Sequence, residues 1–417
     1  MNKKILAVAV SGALASLAAT ASFAQSSVTI SGFFNGSYDH FRISGRTAGR
    51  ASEDRVTDNS SRLLFNVTED MGGGLSAIGQ YDIRIPLDAN QRANALCGTP
   101  ATTVSTTCAV PYFVNGGNQH VGLSSKSWGT IRLGRQDLHY VEHGNFNPAS
   151  TPTLHVSAGA LVTAAHGAAV GRTSRSSNLI WWTSNVMNGV TATLGYSTNS
   201  YASSGYQDTE NDLAASQRKG KTVYARLGYG KGPLNLVFSH IDEKADWIGT
   251  TATATGVTGA AASQTTQGAA PDRKGEIYAA RYDFGFAKLG FAHARNQSLA
   301  WASGASGVRS KRNNSQIGIG VPVDKASNVA LTYTKVGDVS ADGATTASTG
   351  ATHTSLIYSY DLSKRTQLVG AYTQLNNESA AAHSLFYNAD NAVGSIGSGA
   401  NAGEKHRAYS VGIRHSF

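Results

Sequence analysis

Apolar and polar residues alternate position by position along most of this chain. Val28, Ile30, Phe34 and Tyr38 fall on one face of an extended segment, while Thr29, Ser31, Asn35 and Ser37 fall on the other. A period of two is that of a β-strand with one apolar side. The alternation returns at 62–68, where Leu63, Phe65 and Val67 oppose Arg62, Asn66 and Thr68, and again at 77–85. It runs to the last residue: Tyr409, Val411, Ile413 and Phe417 share one side, and Ser410, Gly412, Arg414 and Ser416 the other. The pattern predicts sixteen strands, at 27–39, 61–70, 75–86, 118–124, 129–136, 177–185, 188–197, 220–230, 233–243, 274–284, 286–296, 312–321, 328–337, 352–361, 366–374 and 406–417.

The connections have a rhythm of their own. Short turns such as Gly72-Gly73-Gly74, Asn188-Gly189, Gly230-Lys231-Gly232 and 361–364 alternate with long loops rich in Ser, Thr, Gly and Ala. Short turns on one rim and long loops on the other are the signature of a transmembrane β-barrel. Closure has a physical cause: backbone N–H and C=O groups in lipid find no water, so a spanning sheet tolerates no free edge. The fold class expected is all-β, a 16-stranded antiparallel transmembrane barrel around an aqueous lumen too wide for side chains to fill. Tyr38, Tyr81, Trp128, Tyr229, Tyr282 and Phe417 lie near strand ends, as interfacial girdles require. A soluble sandwich would alternate too, but would usually stop near about 250 residues.

Composition sharpens this. Only 15% of the 417 residues are charged, against about 25% in soluble domains. A mean hydropathy of −0.22 looks soluble, yet an average near zero is what lipid outside and water inside give together. The one long apolar run, 5–21, follows Lys3 and Lys4 and precedes Ser22-Phe23-Ala24, the layout of a cleaved export signal. Residues 1–24 are therefore expected to be a leader and 25–417 the barrel. Removing two lysines leaves 33 basic against 26 acidic side chains, a net +7. With no Lys/Arg-rich run, and with export, nucleic acid is excluded and small anionic solutes are favoured.

At Ser61-Arg62-Leu63-Leu64-Phe65 and Glu69-Asp70-Met71-Gly72-Gly73-Gly74-Leu75 the chain resembles the second strand and first periplasmic turn of Gram-negative trimeric porins of the neisserial and burkholderial type. Ser26 to Ile30, Val121 to Ser124 with Gly129 to Gln136, and Val411 to Phe417 agree with the same family. The resemblance implies a homotrimer of pores in outer-membrane lipid and lipopolysaccharide, each narrowed by an inward-folded third extracellular loop. It implies that Phe417 is the signal read by the barrel assembly machinery. The connection 137–176 is the candidate loop. Within it, 157–170 is nearly all small residues and suits a short helix or hairpin. Trp181 stands where relatives usually carry an arginine, which predicts a more aromatic constriction.

In a narrow, low-dielectric waist, lumen-facing charge sets ion preference. Parity picks Arg62, Arg84 and Arg132 for a basic wall, on the early strands where the family carries its basic half-ring. Arg135 has the opposite parity. Asp82, Asp137 and Glu142 are the candidates for the acidic or loop side, and Arg172 and Arg175 for loop anchoring or a basic rim. Few acids against several arginines predict an outer-membrane channel for small anionic or neutral solutes; the alternative is a channel specific for an organic anion or sugar. His139 and His143 share a face if the loop starts helically, but no third ligand accompanies them, so no metal is expected; a pH effect near 6.5 is the milder possibility. Cys97 and Cys108 flank ten residues in an oxidising compartment and are expected to form a disulfide, stabilising that loop by about 2–3 kcal/mol. Nucleophile elbows, HExxH, GxxxxGK and clustered carboxylates are missing from the sequence, so neither an enzyme nor a cofactor is expected.

Overall fold

The computed structural model describes residues 26–45, 51–85, 87, 117–148, 153, 156–165, 175–198, 219–246, 269–301, 308–385 and 401–417. The leader, Cys97, Cys108, His166 and Arg172 lie outside the described residues. Strand segments run in chain order as β1 Ser27–Ser44, β2 Ser52–Asp58, β3 Arg62–Gly72, β4 Leu75–Arg84, β5 Gln119–Ser125, β6 Gly129–Asp137, β7 Arg175–Thr183, β8 Val190–Thr198, β9 Lys219–Lys231 and β10 Leu234–Asp246. They continue as β11 Ala269–Asp283, β12 Lys288–Trp301, β13 Val308–Pro322, β14 Ser327–Val336, β15 Val339–Ala341, β16 Ala344–Thr346, β17 Ala351–Asp361, β18 Thr366–Asn377 and β19 Lys405–Ser416.

All belong to one antiparallel sheet that closes when β1 pairs with β19. β2 and β3 together make one stave, since β1 pairs with β3 along 27–33 and with β2 along 36–42. β15 and β16 form a small hairpin on the rim. Sixteen staves remain. At the closing seam the Gly32 and Phe417 backbones exchange two 3.1 Å hydrogen bonds, and the Phe417 ring lies 5.3 Å from that of Phe34. The β8 hairpin turns on Asn188 and Gly189, both at positive φ (51° and 89°), the backbone of a tight two-residue turn.

Two departures from the sequence expectation are informative. The alternation does not reveal the break between β2 and β3: Asp58 accepts hydrogen bonds from the Ser60 and Ser61 amides, and Ser60 adopts φ 67°, so the side chain takes the place of ladder acceptors for those two amides. β9 to β13 are also longer than expected, at 13 to 15 residues. In β10 to β13 most of the extra length lies at the long-loop rim, where the regular alternation of apolar and polar positions is lost.

The outer face carries exposed Val28, Ile30, Leu133, Leu194, Phe291, Leu331 and Ile413, as a lipid-facing wall should. The inner face is not polar throughout. Val237, Ile277, Ala279, Ala292 and Ala294 point inward and are buried in a cluster with Phe146, Leu161 and Val162 of the 137–176 connection.

Candidate functional site

Arg62 and Arg84 sit opposite each other on β3 and β4 with inward parity. Asp82 shares that face. Its Oδ2 lies 3.5 Å from Arg62 and its Oδ1 3.2 Å from Arg84 Nε, with Asp82 and Arg84 both buried. Asp82 therefore belongs to the basic wall and does not oppose it from the loop side, because it occupies the same strand and parity as Arg84, two residues on. The Phe33 ring, across β1, has the Arg62 guanidinium carbon 4.8 Å and that of Arg414 4.1 Å from its centroid. Such stacking holds a cation without neutralising it.

Arg132 occupies a second position on the wall. It pairs with Trp181 across β6 and β7, its guanidinium carbon 5.9 Å from the indole, while His120 meets the same ring edge-on at 5.4 Å. The ladder then shifts register between Gly134 and Gln136, so Arg135 sits at a bulge where simple parity stops applying.

Beyond the bulge the chain leaves the wall. Residues 139–141 form a short 3-10 turn leading into α1 (Glu142–Phe146), and α2 covers Gly159–Val162. Glu142 Oε1 accepts from Arg226 Nε at 2.7 Å and from the Tyr224 hydroxyl at 3.2 Å, both inward-facing on β9. Glu142, expected on the acidic, loop side of the constriction, pairs its charge with Arg226 of β9. Asp137 keeps its backbone amide on Asn118 Oδ1 at 2.9 Å and stands in register with Arg175, at the root of the connection. The Asn296 and Asn314 amides each donate to the carbonyls of both Val162 and Ala164, at 2.9–3.1 Å. Gly290 and Gly318 are directly paired on β12 and β13, and residues 146–148 press against them; a Cβ at Gly290 would lie 1.9 Å from the Phe146 carbonyl oxygen.

Cations on this inner surface differ in their partners, and Arg312 bonds the Thr349 carbonyl and His383 instead of a carboxylate. Arg62 and Arg84 share Asp82, Arg226 has Glu142, and Arg273 has Glu243 at 3.2 Å. Arg132 and Arg414 have no carboxylate within ion-pair distance among the described residues; each has an aromatic ring instead. Arg414 is the residue sequence reasoning passed over, although its inward parity is legible in 409–417.

A closed sixteen-stave barrel with an apolar exterior and charged interior narrows the field to channels, and a family model described as "Gram-negative porin" matches residues 9–380. The chain belongs to the Gram-negative porin family. This porin is 26% identical over 419 residues to outer membrane porin protein 32 of Delftia acidovorans, covering both chains fully. It is 25% identical to an outer membrane porin protein of Bordetella pertussis, covering 90% of this chain and 94% of that one. Among solved structures, an anion-selective porin from Comamonas acidovorans superposes with TM-score 0.66 at 23% identity, over 94% of this chain and 100% of the other. The trimer form of OmpT from Vibrio cholerae gives 0.61 at 12% identity, over 94% and 99%. As a family member, this porin is an outer-membrane channel protein.

In this porin His139 is fully buried, with Nδ1 2.8 Å from Ser239 Oγ. Burial, with His240 and His143 nearby, pushes its pKa down to about 3. The sequence-based idea of titration near 6.5 therefore does not apply to it while the connection is docked. Because the docked pKa lies below the free value, the docking stability is complete above about pH 6.5 and is lost as pH falls toward 3. Each pH unit in that window favours undocked states by up to about tenfold. Single-channel noise should be flat from pH 7 to 8 and rise below pH 5, and His139→Gln should remove most of the rise.

Proposed function

We propose that this porin is a water-filled channel for small hydrophilic solutes that prefers anions, and that the connection 137–176 lodges in the lumen as its constriction. The observation that carries the preference is the pair of arginines, Arg132 and Arg414, left with aromatic rings and no carboxylate among the described residues. The docking of 156–165 onto inward-facing Asn296 and Asn314 supports the constriction. The anion-selective relative from Comamonas acidovorans supports the sign of the preference, and the trimeric Vibrio cholerae structure supports a homotrimer. The leader at 1–24, the Cys97–Cys108 disulfide, Arg172 as a loop anchor and Phe417 as the assembly signal complete the reading.

Zero-current potentials in a potassium chloride gradient test it: the expected sign is that of a chloride-permeable pore, and clear cation preference would overturn it. A second reading is favoured by Phe33 and Trp181 beside the free cations, since a ring next to an arginine suits an organic anion. Saturable current block by one organic anion at sub-millimolar concentration would decide for that narrower channel.

A further inference from the structure

A second stretch of the inner wall is apolar, away from the one that the 137–176 connection covers. Phe41 and Ile43 of β1, Val336 of β14, Ala351 of β17, Leu375 of β18 and Ala408 of β19 face inward near the long-loop ends of their strands, and all are buried. Beside a water-filled lumen, apolar positions on that face call for cover. The chain leaving β18 supplies it. Residues 378–385 turn back over the rim, and Leu385 is buried in the same cluster.

This segment is tied down along its length. The Glu378 and Ala380 amides donate to the Gly350 and Ser348 carbonyls at 3.0 and 2.9 Å, and the Gly403 amide donates to the Ala381 carbonyl at 2.9 Å. Asn377, buried, accepts the His383 amide at 2.9 Å and donates to the His383 carbonyl at 2.8 Å. The far end rests on β13. Arg312 Nη1 lies 3.2 Å from His383 Nε2, while Arg312 Nη2 donates to the Thr349 carbonyl at 2.9 Å. A guanidinium has donors only, so Nε2 is the acceptor and His383 is neutral when the segment is seated. A proton on Nε2 would set N–H against N–H and charge against charge.

We propose that residues 378–385 form an acid-released lip at the outer mouth of the pore, seated by Leu385 and latched by Arg312 on His383, which restricts the entry of larger neutral solutes above the 137–176 connection. The lip depends neither on the anion preference of the lumen nor on the seating of that connection. Burial, and then the Arg312 charge, push the His383 pKa down to about 4; a bond to the Thr349 backbone works the other way and is the smallest of the three effects. The carboxylates around it are engaged elsewhere. Asp338 and Glu378 accept the Thr349 and Gly350 amides at 2.8–3.2 Å, and Glu404 lies 3.3 Å from His406 behind Asn377. Because the seated pKa lies below the free value of about 6.5, the latch is at full strength above that pH and is lost as pH falls toward 4.

Hydrogen-deuterium exchange of the full protein in lipid nanodiscs, corrected for the pH dependence of chemical exchange, reads the latch through the Glu378, Ala380 and His383 amides. Their protection should fall about tenfold from pH 7.5 to pH 5 in the wild type. His383→Gln, which still accepts from Arg312 but does not titrate, should hold its protection at pH 5, and His139→Gln should lose it as the wild type does. Swelling of liposomes in a neutral trisaccharide gives the second readout. Entry should be faster at pH 5 than at pH 7.5 in the wild type, and already fast at pH 7.5 in Leu385→Ala and in His383→Leu. Protection that is the same at both pH values, or that falls equally in His383→Gln, would overturn the latch, as would a fall abolished by His139→Gln. Lost protection with unchanged trisaccharide entry would overturn the restriction at the mouth.

Discussion

Replacing Arg132 and Arg414 together by glutamine should abolish the anion preference of the channel. A unit charge about 6 Å from a passing ion in water contributes about 0.7 kcal/mol, attractive for an anion and repulsive for a cation. The difference between the two ions is about 1.4 kcal/mol per arginine, or about tenfold in relative permeability before screening. Screening at 0.1 M salt shortens this reach, so several-fold per residue is the expected reading, and the double variant should bring the zero-current potential close to zero. Arg84→Gln gives the contrast. Asp82 at 3.2 Å is shared with Arg62, so the variant takes this cluster from net +1 to neutral; selectivity should fall less than in the double variant, while the barrel is destabilised because Asp82 loses a buried partner. Asp82→Asn should act the other way, removing the carboxylate that Arg62 and Arg84 share and strengthening anion preference. Unchanged potentials in the Arg132/Arg414 double variant would remove these arginines as the source of selectivity.

The alternation of Leu63, Phe65 and Val67 against Arg62, Asn66 and Thr68 is enough to place a lipid-facing and an inward-facing side, because lipid excludes charge from every second position. That constraint ends at the rim. Ser52–Asp58 has Asp54 on its outer side and Arg55 on its inner side, and no pattern in the sequence separates it from a loop. A different signal is present but easily misread. In Ile277-Tyr278-Ala279-Ala280 and Phe291-Ala292-His293-Ala294 the inward positions are apolar as well, which in a strand means cover on both faces. Those are the positions that Phe146, Leu161 and Val162 bury. Parity also shows that Arg62, Asp82 and Arg84 share a face. It does not show which cation meets Glu142, since Arg226 is 84 positions away and the pair exists only once the connection docks against β9. The pairing that decides which arginines stay free is a tertiary property, and so the candidates from sequence include the paired Arg84 and leave out Arg414.

Asn296→Leu with Asn314→Leu should release the connection from the wall and raise single-channel conductance. Each amide donates to two carbonyls, those of Val162 and Ala164, and both asparagines are buried. Leucine is close to asparagine in volume but donates nothing, so two carbonyl oxygens would be left in an apolar cluster. An unsatisfied buried polar group costs about 1–3 kcal/mol, and two together exceed what the short α2 helix, four residues long, can offset by its own packing. The sixteen-stave ladder does not depend on these side chains, so heat resistance of the folded barrel should change far less than the conductance. Gly290→Val should produce the same opening by another route, since its Cβ would meet the Phe146 carbonyl. If conductance stays at the wild-type level in both variants while the barrels remain folded, the connection does not limit the pore. The narrowest point would then have to be formed by the wall arginines alone.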